Sequence, residues 1–390
     1  MPQNQDKNKY VLELIAQGEN SAIEFKQVEV RPESLAKELV AFSNTNGGVL
    51  LIGVDDCGEI IGIKARQDME EWVANVVRNN IIPAICPDIS KFEVNGKTII
   101  IVEVNKGIDK PYQSIDGKYW LRVGSTNRMA TKEELSRLFQ QAGLVHYDIA
   151  PLEGTELSDL DERKLHEYWQ DYYGIFYRQL EQPERLRLLR NADILTEHAE
   201  TKTHVVTVGG LLIFGLEPQK RLWQSAITFA VFDGVDLTED LLDKQEIVGT
   251  LPELIRQTAA KIRLFLPRCS TLSGLERQEK VLIPNSVIRE ALVNAVCHRD
   301  YSIDNRRTTV YIYRDRLEIT SPGRLPNTLS IEKILTGNSA PRNTFLLKYL
   351  DNMKFLDGLG RGVPMIRRKM EGRFFYQEEG ELLRLTLFLK

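Results

Sequence analysis

The apolar segments of this chain are short, and they change repeatedly between helical and strand-like spacing. Leu35, Leu39 and Phe42 recur on one helix face, whereas Asn95-Gly96 separates two apolar runs in a β-hairpin pattern. No apolar run reaches the roughly 18 residues that cross a bilayer, and the N-terminus is polar. The four cysteines lack CxxC spacing, which argues against a zinc knuckle. We therefore predict an α+β protein without a signal peptide or membrane segment, located in the cytoplasm.

The length and the charge distribution of the chain both indicate more than one domain. Its 390 residues exceed one ordinary domain and predict two or three. Residues 1–140 carry 17 basic and 20 acidic residues, residues 141–284 carry 16 and 23, and residues 285–390 carry 18 and 12. The net charge of −4 thus conceals a basic C-terminal third, which could attract phosphate. We predict an N-terminal domain over 1–142, a middle α/β scaffold domain over 143–283 and a C-terminal domain over 284–390.

Local signals predict the elements that carry the candidate sites. Alternating residues indicate strands, apolar residues at helical spacing indicate helices, and Thr131 begins a capping box. The predicted elements are strand Ala22–Lys26, helix Glu33–Ser43, a hairpin of strands Val49–Val54 and Glu59–Ile63, a strand-like run Val205–Phe214, and helices Val287–Cys297 and Val363–Met370.

Acidic residues gather around the first predicted strands. Glu19 and Glu24 stand five residues apart, Glu24 shares a strand face with Lys26, and Asp55 and Asp56 close the next strand. Clustered carboxylates bind hard divalent cations, which can activate water or hold a phosphate, and a nearby lysine can neutralise that phosphate. A solvated strand face and an ordinary Asp-containing turn would produce the same pattern. The residues by themselves leave both interpretations open.

Polar side chains also end the last strand of this segment. Arg122, Ser125 and Arg128, with Asn127 between them, lie at a predicted strand-to-loop transition. Such side chains suit contacts with phosphates, which position a nucleic acid without reading its sequence. A solvated loop is the alternative. Together with Lys26, these residues are the candidate nucleic-acid contacts: Lys26, Arg122, Ser125 and Arg128.

Four motifs follow one another in this segment. They read Glu19-x4-Glu24-Phe-Lys, Ala41-Phe-Ser-Asn-Thr-Asn-Gly-Gly48, Leu51-Ile-Gly-Val-Asp-Asp56-x-Gly-x-Ile and Tyr119-Trp-Leu-Arg-Val-Gly-Ser125. Together they resemble the Schlafen AlbA_2 domain over about residues 10–142. The resemblance implies an AlbA_2-type α/β fold that binds DNA or RNA.

The same resemblance implies a metal-dependent chemistry. In animal Schlafens the corresponding domains cut tRNA and rRNA with two Glu, one Asp and a divalent metal. Carried over, Glu19, Glu24 and Asp56 would be catalytic ligands of Mg²⁺ or Mn²⁺, with Asp55 as the alternative to Asp56. Function must be argued from the site and not from the fold, so cleavage stays a hypothesis beside binding.

A second group of polar residues lies in the basic third of the chain. Glu290 and Asn294 stand four residues apart on one predicted helix face, and a glycine loop, Asp357–Gly362, precedes another helix. Asn or a carboxylate on a helix can hold Mg²⁺, and glycines let backbone N–H groups approach phosphates near a helix N-terminus. A tight turn and a capping or packing Asn are the alternatives.

The order of these pieces resembles a known nucleotide-binding domain. The motifs are Arg289–Tyr301 (REALVNAVCHRDY), Ser321–Pro326, Gly337–Asn343 and Asp357–Gly362. They are similar to the divergent ATP-binding domain attached to AlbA_2 in bacterial regulators, which is labelled as RecG C-terminal-like and is related to the gyrase and histidine-kinase (GHKL) ATPases. The resemblance implies a GHKL-like α/β sandwich in which Asn294 holds Mg²⁺, Glu290 orients water, and the following glycines line the nucleotide: Gly323, Gly358, Gly360 and Gly362.

One position departs from that pattern. Gyrase-type sites place an Asp before the second motif to accept from the adenine amino group, but this chain has Thr320 and Ser321 there. The chain also has no Gly-x4-Gly-Lys-Ser/Thr loop, which a motor helicase would need.

Three functions remain as hypotheses. The first is a nucleic-acid-binding transcriptional regulator with a nucleotide-responsive C-terminal domain and weak or absent ATPase activity. The second is a Schlafen-type endoribonuclease acting in phage defence or stress. The third is a non-catalytic assembly scaffold. The resemblances also imply a homo-oligomer.

Overall fold

The computed structural model forms two compact units, Met1–Val145 and His146–Lys390. It describes residues 2–63, 68–198, 200–266, 269–273, 276–280, 282–326, 329–356 and 360–390. Of residues 2–8, 269–273 and 276–280 it describes the backbone only. Among the helices in these ranges, none has the length and apolar character that crossing a bilayer requires.

The first unit alternates helices with short strands. Pro32 starts the second helix at a position where its missing N–H is not needed. In chain order the elements are α1 Pro2–Gln17, β1 Ile23–Lys26, α2 Pro32–Asn44, β2 Gly47–Ile52, α3 Met69–Asn80, β3 Ile81–Ile82, β4 Asp88–Val94, β5 Lys97–Asn105, β6 Gln113–Ser114, β7 Trp120–Val123, β8 Thr126–Met129 and α4 Lys132–Gln141.

A four-stranded sheet in the order β1-β2-β5-β4 is the centre of this unit. β1 and β2 are parallel, and the other neighbours are antiparallel. Alternate residues of the strands supply two hydrophobic cores, one shared with α2 and α3 and the other with α1. Ile23 and Phe25 belong to the core on the α1 side. Their neighbours Glu24 and Lys26 therefore lie on the opposite face, which is the α2 side; the shared face was predicted, and its position against α2 was not.

The second unit is larger and contains more helices. Its elements are α5 Glu162–Tyr173, α6 Gln182–Asn191, β9 Leu195–Glu197, β10 His204–Val206, α7 Val208–Phe214, β11 Ile227–Phe232, β12 Leu241–Ile247, α8 Leu251–Phe265, β13 Cys269–Ser273, β14 Glu276–Lys280, α9 Asn285–Cys297, β15 Thr308–Ile312, β16 Arg316–Pro322, α10 Ile331–Leu335, α11 Thr344–Asn352, α12 Gly362–Met370, β17 Phe374–Glu379 and β18 Leu382–Phe388, with short 3₁₀ turns between them.

A six-stranded sheet in the order β12-β11-β15-β16-β18-β17 organises the second unit. β11 and β15 pair in parallel, with Ile227 opposite Thr308, and the other neighbours are antiparallel. One hydrophobic core, with members from Leu160 to Leu389, includes residues of α8, α9, α11 and α12. Residues of the predicted middle and C-terminal segments therefore share one sheet and one core.

The α+β class is confirmed, since both units combine helices with sheets. The boundary predicted at 142/143 lies three residues from the division between the units. The boundary predicted at 283/284 falls inside the second unit, so the three-domain division stays a prediction.

Two predicted strands were wrong. Residues 59–63 form isolated bridges, Val54 with Ile60 and Ile63 with Thr98, instead of a hairpin strand. Gly53 and Gly62 have φ of 102° and 80°, which interrupts extended backbone on both sides. The run Val205–Phe214 is mostly the helix α7. Thr207 caps that helix by accepting from the Gly210 N–H, and a fully buried apolar run shows no period that separates helix from strand.

Candidate functional site

Glu24, one of the predicted metal ligands, belongs to a compact cluster of charged side chains in the first unit. β1 supplies Glu24 and Lys26, α2 supplies Glu38, and β7 supplies Arg122. Glu24, Glu38 and Arg122 are each at most 7% exposed. Glu38 was not among the predicted residues, because its place opposite β1 depends on how α2 packs on the sheet.

Arg122 is the centre of this cluster. Its Nη2 lies 2.7 Å from Glu24 Oε2, and its Nη1 lies 3.3 Å from Glu38 Oε2. Nε and Nη2 also donate to the Asn20 carbonyl at 3.2 and 2.7 Å, and Nη2 donates to the Ile23 carbonyl at 3.1 Å. All three guanidinium nitrogens thus have partners inside the unit. The phosphate contact predicted for Arg122 therefore stays a prediction, made by an arginine that is 7% exposed.

Lys26 completes the neutralisation of the two glutamates. It donates to Glu24, and its Nζ lies 3.7 Å from Glu38 Oε1. Burial by itself lowers the pKa of Lys26, but the contact with Glu24 and the charges of Glu38, Glu24 and Glu19 outweigh burial and raise it. Burial, followed by the Glu24 charge, raises the pKa of Glu38. The cluster therefore holds two buried carboxylates against two internal cations.

The other predicted metal ligands have different surroundings. Glu19 Oε1 accepts from the backbone N–H of Phe25 at 3.0 Å. Asp55 Oδ1 accepts from the N–H groups of Cys57 and Glu59, which is turn chemistry, and Asp56 is exposed. Within the described ranges, no three His, Cys, Asp or Glu side chains are grouped to hold a metal. The residues as arranged therefore do not fit the expected divalent ion.

The remaining candidate nucleic-acid contacts lie on the hairpin of β7 and β8. Ser125 is exposed in its turn. Arg128 forms two hydrogen bonds with Glu134, at 2.7 and 2.6 Å. This contact with Arg128 is the main cause that lowers the pKa of Glu134 to about 2. Glu134 also closes the predicted capping box with Thr131, which the structure contains.

The second unit contains a cavity at the predicted nucleotide site. Its volume is about 140 Å³, and its wall combines α9, the end of β16 and the start of α12. The cavity brings together five predicted residues, Glu290, Asn294, Gly323, Gly360 and Gly362. Gly358 lies outside the described residues.

Glu290 and the glycine loop approach one another closely. The Asn294 Nδ2 donates to Glu290 Oε1 at 3.1 Å, so both side chains belong to one polar pair. A Cβ on Gly362 would lie 1.7 Å from Glu290 Oε1, and a Cβ on Gly360 would lie 2.6 Å from the Gly337 carbonyl oxygen. Only glycine fits these positions without displacing the neighbouring atoms. The loop is therefore shaped around Glu290 and the Gly337 turn.

Ser321, the residue that precedes the Pro322-Gly323 turn, lines the cavity. Its Oγ donates to the Ala295 carbonyl at 2.6 Å. The hydroxyl hydrogen is used in this bond, so the oxygen presents lone pairs to the cavity and acts as a neutral acceptor. Thr320 belongs to the opposite face of the sheet and lines a different groove.

A histidine and an arginine that the sequence analysis did not select also line the cavity. Burial, followed by the Arg342 charge, lowers the pKa of His298 to about 4, so His298 is neutral near pH 7. Arg342 is 6% exposed, its Nη1 lies 3.1 Å from Asp300 Oδ2, and its Nη2 donates to the Arg324 carbonyl at 2.6 Å. Both residues lie inside motifs quoted above, so motif membership was the signal that could have selected them.

Family models match three segments of the chain. Residues 19–131 match "Schlafen, AlbA_2", residues 305–386 match "Putative ATP-dependent DNA helicase recG C-terminal", and residues 136–224 match a domain of unknown function. The chain thus contains a Schlafen AlbA_2 domain and a RecG C-terminal-like domain, as the resemblances implied. No curated protein matches the chain.

Two solved structures are similar to parts or all of the chain. A Corynebacterium diphtheriae crystal structure is 21% identical over 99% of this chain and 80% of its own, with a TM-score of 0.47. The N-terminal domain of an ATP-dependent DNA helicase RecG-related protein from Nitrosomonas europaea, solved by NMR, is 26% identical over 32% of this chain and 92% of its own, with a TM-score of 0.26.

Proposed function

We propose that this chain is a nucleic-acid-binding regulatory protein, specifically a transcriptional regulator, whose second unit binds an adenine nucleotide. The observation that carries the nucleotide assignment is the cavity where Glu290 and Asn294 meet Gly360 and Gly362. A partly enclosed cavity with a few convergent polar groups is the usual form of a small-ligand site. The match of residues 305–386 to an ATP-dependent helicase family supports the same ligand class.

Ser321 gives this cavity a preference between bases. Because its hydroxyl donates to Ala295, it can accept a hydrogen bond from the adenine amino group. Guanine presents a carbonyl oxygen at the equivalent position, and two acceptors facing one another leave both unsatisfied. Ser321 thereby supplies the acceptor that the missing Asp would have provided. We expect ATP to bind more tightly than GTP.

The polar pair fits a magnesium-bound triphosphate. The Asn294 amide nitrogen donates to Glu290, which leaves the amide oxygen as the Asn294 atom able to ligate Mg²⁺. Bound Mg²⁺ would neutralise charge on the phosphates. The backbone of Gly360 and Gly362 approaches the cavity without side chains, and the N-terminus of α12 favours anionic groups. We assign Glu290 the role of orienting the attacking water in slow hydrolysis.

The nucleic-acid assignment is supported by the match of residues 19–131 to the Schlafen AlbA_2 family. The exposed β7–β8 hairpin, with Ser125 and Arg128, is the surface we propose for phosphate contacts. Lys26 and Arg122 are excluded from this surface, because both neutralise buried glutamates. Self-association stays a prediction.

Thermal unfolding with nucleotide tests the proposal. A ligand that binds the native state raises its melting temperature, so ATP with Mg²⁺ should stabilise the second unit and GTP should stabilise it less. Ser321→Ala should reduce the difference between ATP and GTP, and Asn294→Ala should remove the contribution of Mg²⁺. Glu290→Gln should keep the stabilisation by ATP and lose hydrolysis. If no adenine nucleotide shifts the unfolding of the second unit, the nucleotide assignment is wrong.

The two alternative functions give different results in the same experiments. An endoribonuclease needs a metal at Glu19, Glu24 and Asp56, which the structure does not assemble, so we derive no cleavage step. Cleavage of RNA with Mn²⁺ that Glu24→Gln abolishes would restore that hypothesis. A scaffold would respond neither to nucleotide nor to nucleic acid.

A further inference from the structure

A strongly basic groove lies on the second unit beside the nucleotide cavity. It has a volume of about 710 Å³ and lies between the N-terminal half of α9 and one face of α12. Five cations line it, and Glu290 is the carboxylate in its lining. The five are Arg289, Lys354, Arg361, Arg368 and Lys369.

Three of the five groove cations have no ion-pair partner among the described residues. Within the described residues, Arg289, Lys354 and Arg368 form no ion pair. Lys369 donates to the hydroxyl of Ser286. Some arginines elsewhere in the described part of the chain pair with carboxylates, as Arg307 does with Glu246 at 2.6 Å. Five cations grouped around one carboxylate, three of them without an ion pair in the described ranges, give this groove a local positive charge in a chain of net charge −4, which favours an anionic partner.

The helix dipole explains only part of this cluster. Arg368 and Lys369 lie in the last turn of α12, where cations are favoured by the partial negative charge of the helix end. Arg289 lies near the opposite, positive end of α9, and Lys354 lies after α11. Three separate segments thus bring cations to one groove.

An exposed aromatic surface adjoins the basic groove at Lys354. Lys354 also lines a second groove of about 470 Å³, together with Tyr168, Tyr172 and Arg256. The rings of Tyr168 and Tyr172 stack with an interplanar angle of 7° and a centroid distance of 5.6 Å. Tyr172 remains 41% exposed, so part of its ring can meet a ligand.

We propose that the two grooves together bind a single strand of nucleic acid. The basic groove would hold consecutive backbone phosphates, and the exposed part of Tyr172 would stack on an unpaired base. Cationic grooves that follow the backbone, combined with aromatic rings for the bases, are the usual chemistry of single-strand binding. This proposal does not rest on the nucleic-acid surface proposed for the first unit.

The phosphates of the cavity's own nucleotide do not account for the basic groove. Glu290 lines both the cavity and the groove, and its carboxylate lies against Gly362 at their common wall. A carboxylate there disfavours a phosphate chain passing from one to the other. Because Glu290 and Gly362 belong to both sites, nucleotide in the cavity should change the affinity for the strand, and the coupling should be reciprocal.

Anisotropy measurements on the full chain test this proposal. The probes are fluorescein-labelled oligothymidylate of about 20 nucleotides, long enough for one such site, and a duplex of equal length. We expect tighter binding of the single strand. Arg368→Glu and Arg289→Glu should each weaken binding and reduce the salt slope by about 0.7, the value for one lost phosphate contact. Arg367→Glu, on the same turn of α12 but outside the groove lining, is the matched control.

Tyr172→Ala tests the stacking part. It should weaken single-strand binding roughly 5- to 150-fold, the range for one base–aromatic stack, with an unchanged salt slope. Tyr173→Ala is its matched control, since Tyr173 is exposed on the same helix but does not line the groove. Melting temperatures of all variants exclude unfolding as the cause.

Cross-linking separates this proposal from the function proposed for the first unit. A strand containing 4-thiothymidine is irradiated with the full chain, and the linked peptides are identified by mass spectrometry. Links within residues 162–173, 285–297 or 354–370 support the grooves. Links confined to residues 1–145 would contradict strand binding in the two grooves and would leave the proposal for the first-unit surface unchanged. Equal losses in Arg368→Glu and Arg367→Glu would also overturn the proposal, because the effect would then be general charge.

Discussion

Each of the two units contains a carboxylate that the sequence selects as functional, but the surroundings differ. In the first unit, Glu24 lies with Glu38 against Arg122 and Lys26, nearly out of contact with water. In the second unit, Glu290 lies beside the neutral amide of Asn294 at the wall of a cavity. The first cluster satisfies its charges internally, whereas the second directs polar atoms towards open space.

This difference is the reason why we propose a structural role for the first cluster and a binding role for the second. Buried carboxylates that already have two cationic partners gain little from a metal ion, because the ion must displace those cations. Glu290 and Asn294 line a cavity, where their oxygen atoms can be reached by a cation or a water molecule. Similar sequence signals therefore correspond to different chemistry. The side chains that other segments bring next to each carboxylate determine its chemistry.

Removing Arg122 should have the largest effect. Arg122→Met leaves Glu24 and Glu38 buried without their main cation, so the free energy of unfolding of the first unit should fall by about 3–5 kcal/mol. Denaturant unfolding measures this loss. The triple variant Arg122→Met, Glu24→Gln, Glu38→Gln removes the buried charges as well and should recover most of it. A loss below about 1 kcal/mol would mean that the cluster is solvated like a surface pair.

Acid should destabilise the second unit through His298. The folded pKa is about 4 and the ordinary value is 6.5, so the unfolded chain takes up the proton first. The contribution of His298 to the free energy of unfolding is therefore fully present above pH 6.5. It decreases as the pH falls towards 4, by up to about 3 kcal/mol. His298→Asn should flatten this part of the stability curve, which unfolding at a series of pH values measures. An unchanged slope in the variant would assign the acid sensitivity to other groups.

Gly362→Ala should damage the cavity. The added Cβ would lie 1.7 Å from Glu290 Oε1, so the side chain or the loop must shift, at a cost of about 1–3 kcal/mol. Stabilisation by ATP should decrease in the same variant. Glu290→Ala removes the clashing atoms, and the double variant should therefore be more stable than the sum of the single effects predicts. Strict additivity would contradict the close contact.

Arg128→Ala should have the smallest effect on stability. Its ion pair with Glu134 is on the surface, and such pairs contribute roughly 0.2–1 kcal/mol. High salt should reduce even this contribution. Together, Arg128→Ala and Arg122→Met compare the contributions of an exposed and a buried arginine to the stability of the same unit. A loss as large as that of Arg122→Met would show that Arg128 has a further structural role.

Local patterns predicted the elements that hold these sites but not their partners. The alternation of Ile23, Glu24 and Phe25 was sufficient to place Glu24 and Phe25 on opposite faces of β1, and Phe25 proves to lie in the core on the α1 side. The turn around Asp55 was also predicted, and Asp55 Oδ1 accepts two backbone hydrogen bonds within it. Helix α7 was missed because a continuous apolar run has no readable period.

Contacts between segments that are distant in the chain could not be predicted from the sequence. Glu38 meets Arg122 across 84 positions of the chain, and Gly362 approaches Glu290 from a loop that follows several other elements. Lys110, only 2% exposed, donates to the carbonyl groups of Asn44 and Thr45 at the end of α2. Such pairs are fixed when helices and loops pack on a sheet, and no local spacing records them.

The parallel pairing of β11 with β15 also affects how the protein is made. Ile227 lies opposite Thr308, so the centre of the second sheet joins segments separated by about 80 residues. At a synthesis rate of about 5–20 residues per second, β11 leaves the ribosome roughly 4–16 s before its partner. The first unit, whose sheet ends at Asn105, can fold during that interval. During the same interval β11 can pair with β12, but its other edge lacks β15 until that strand has been synthesised.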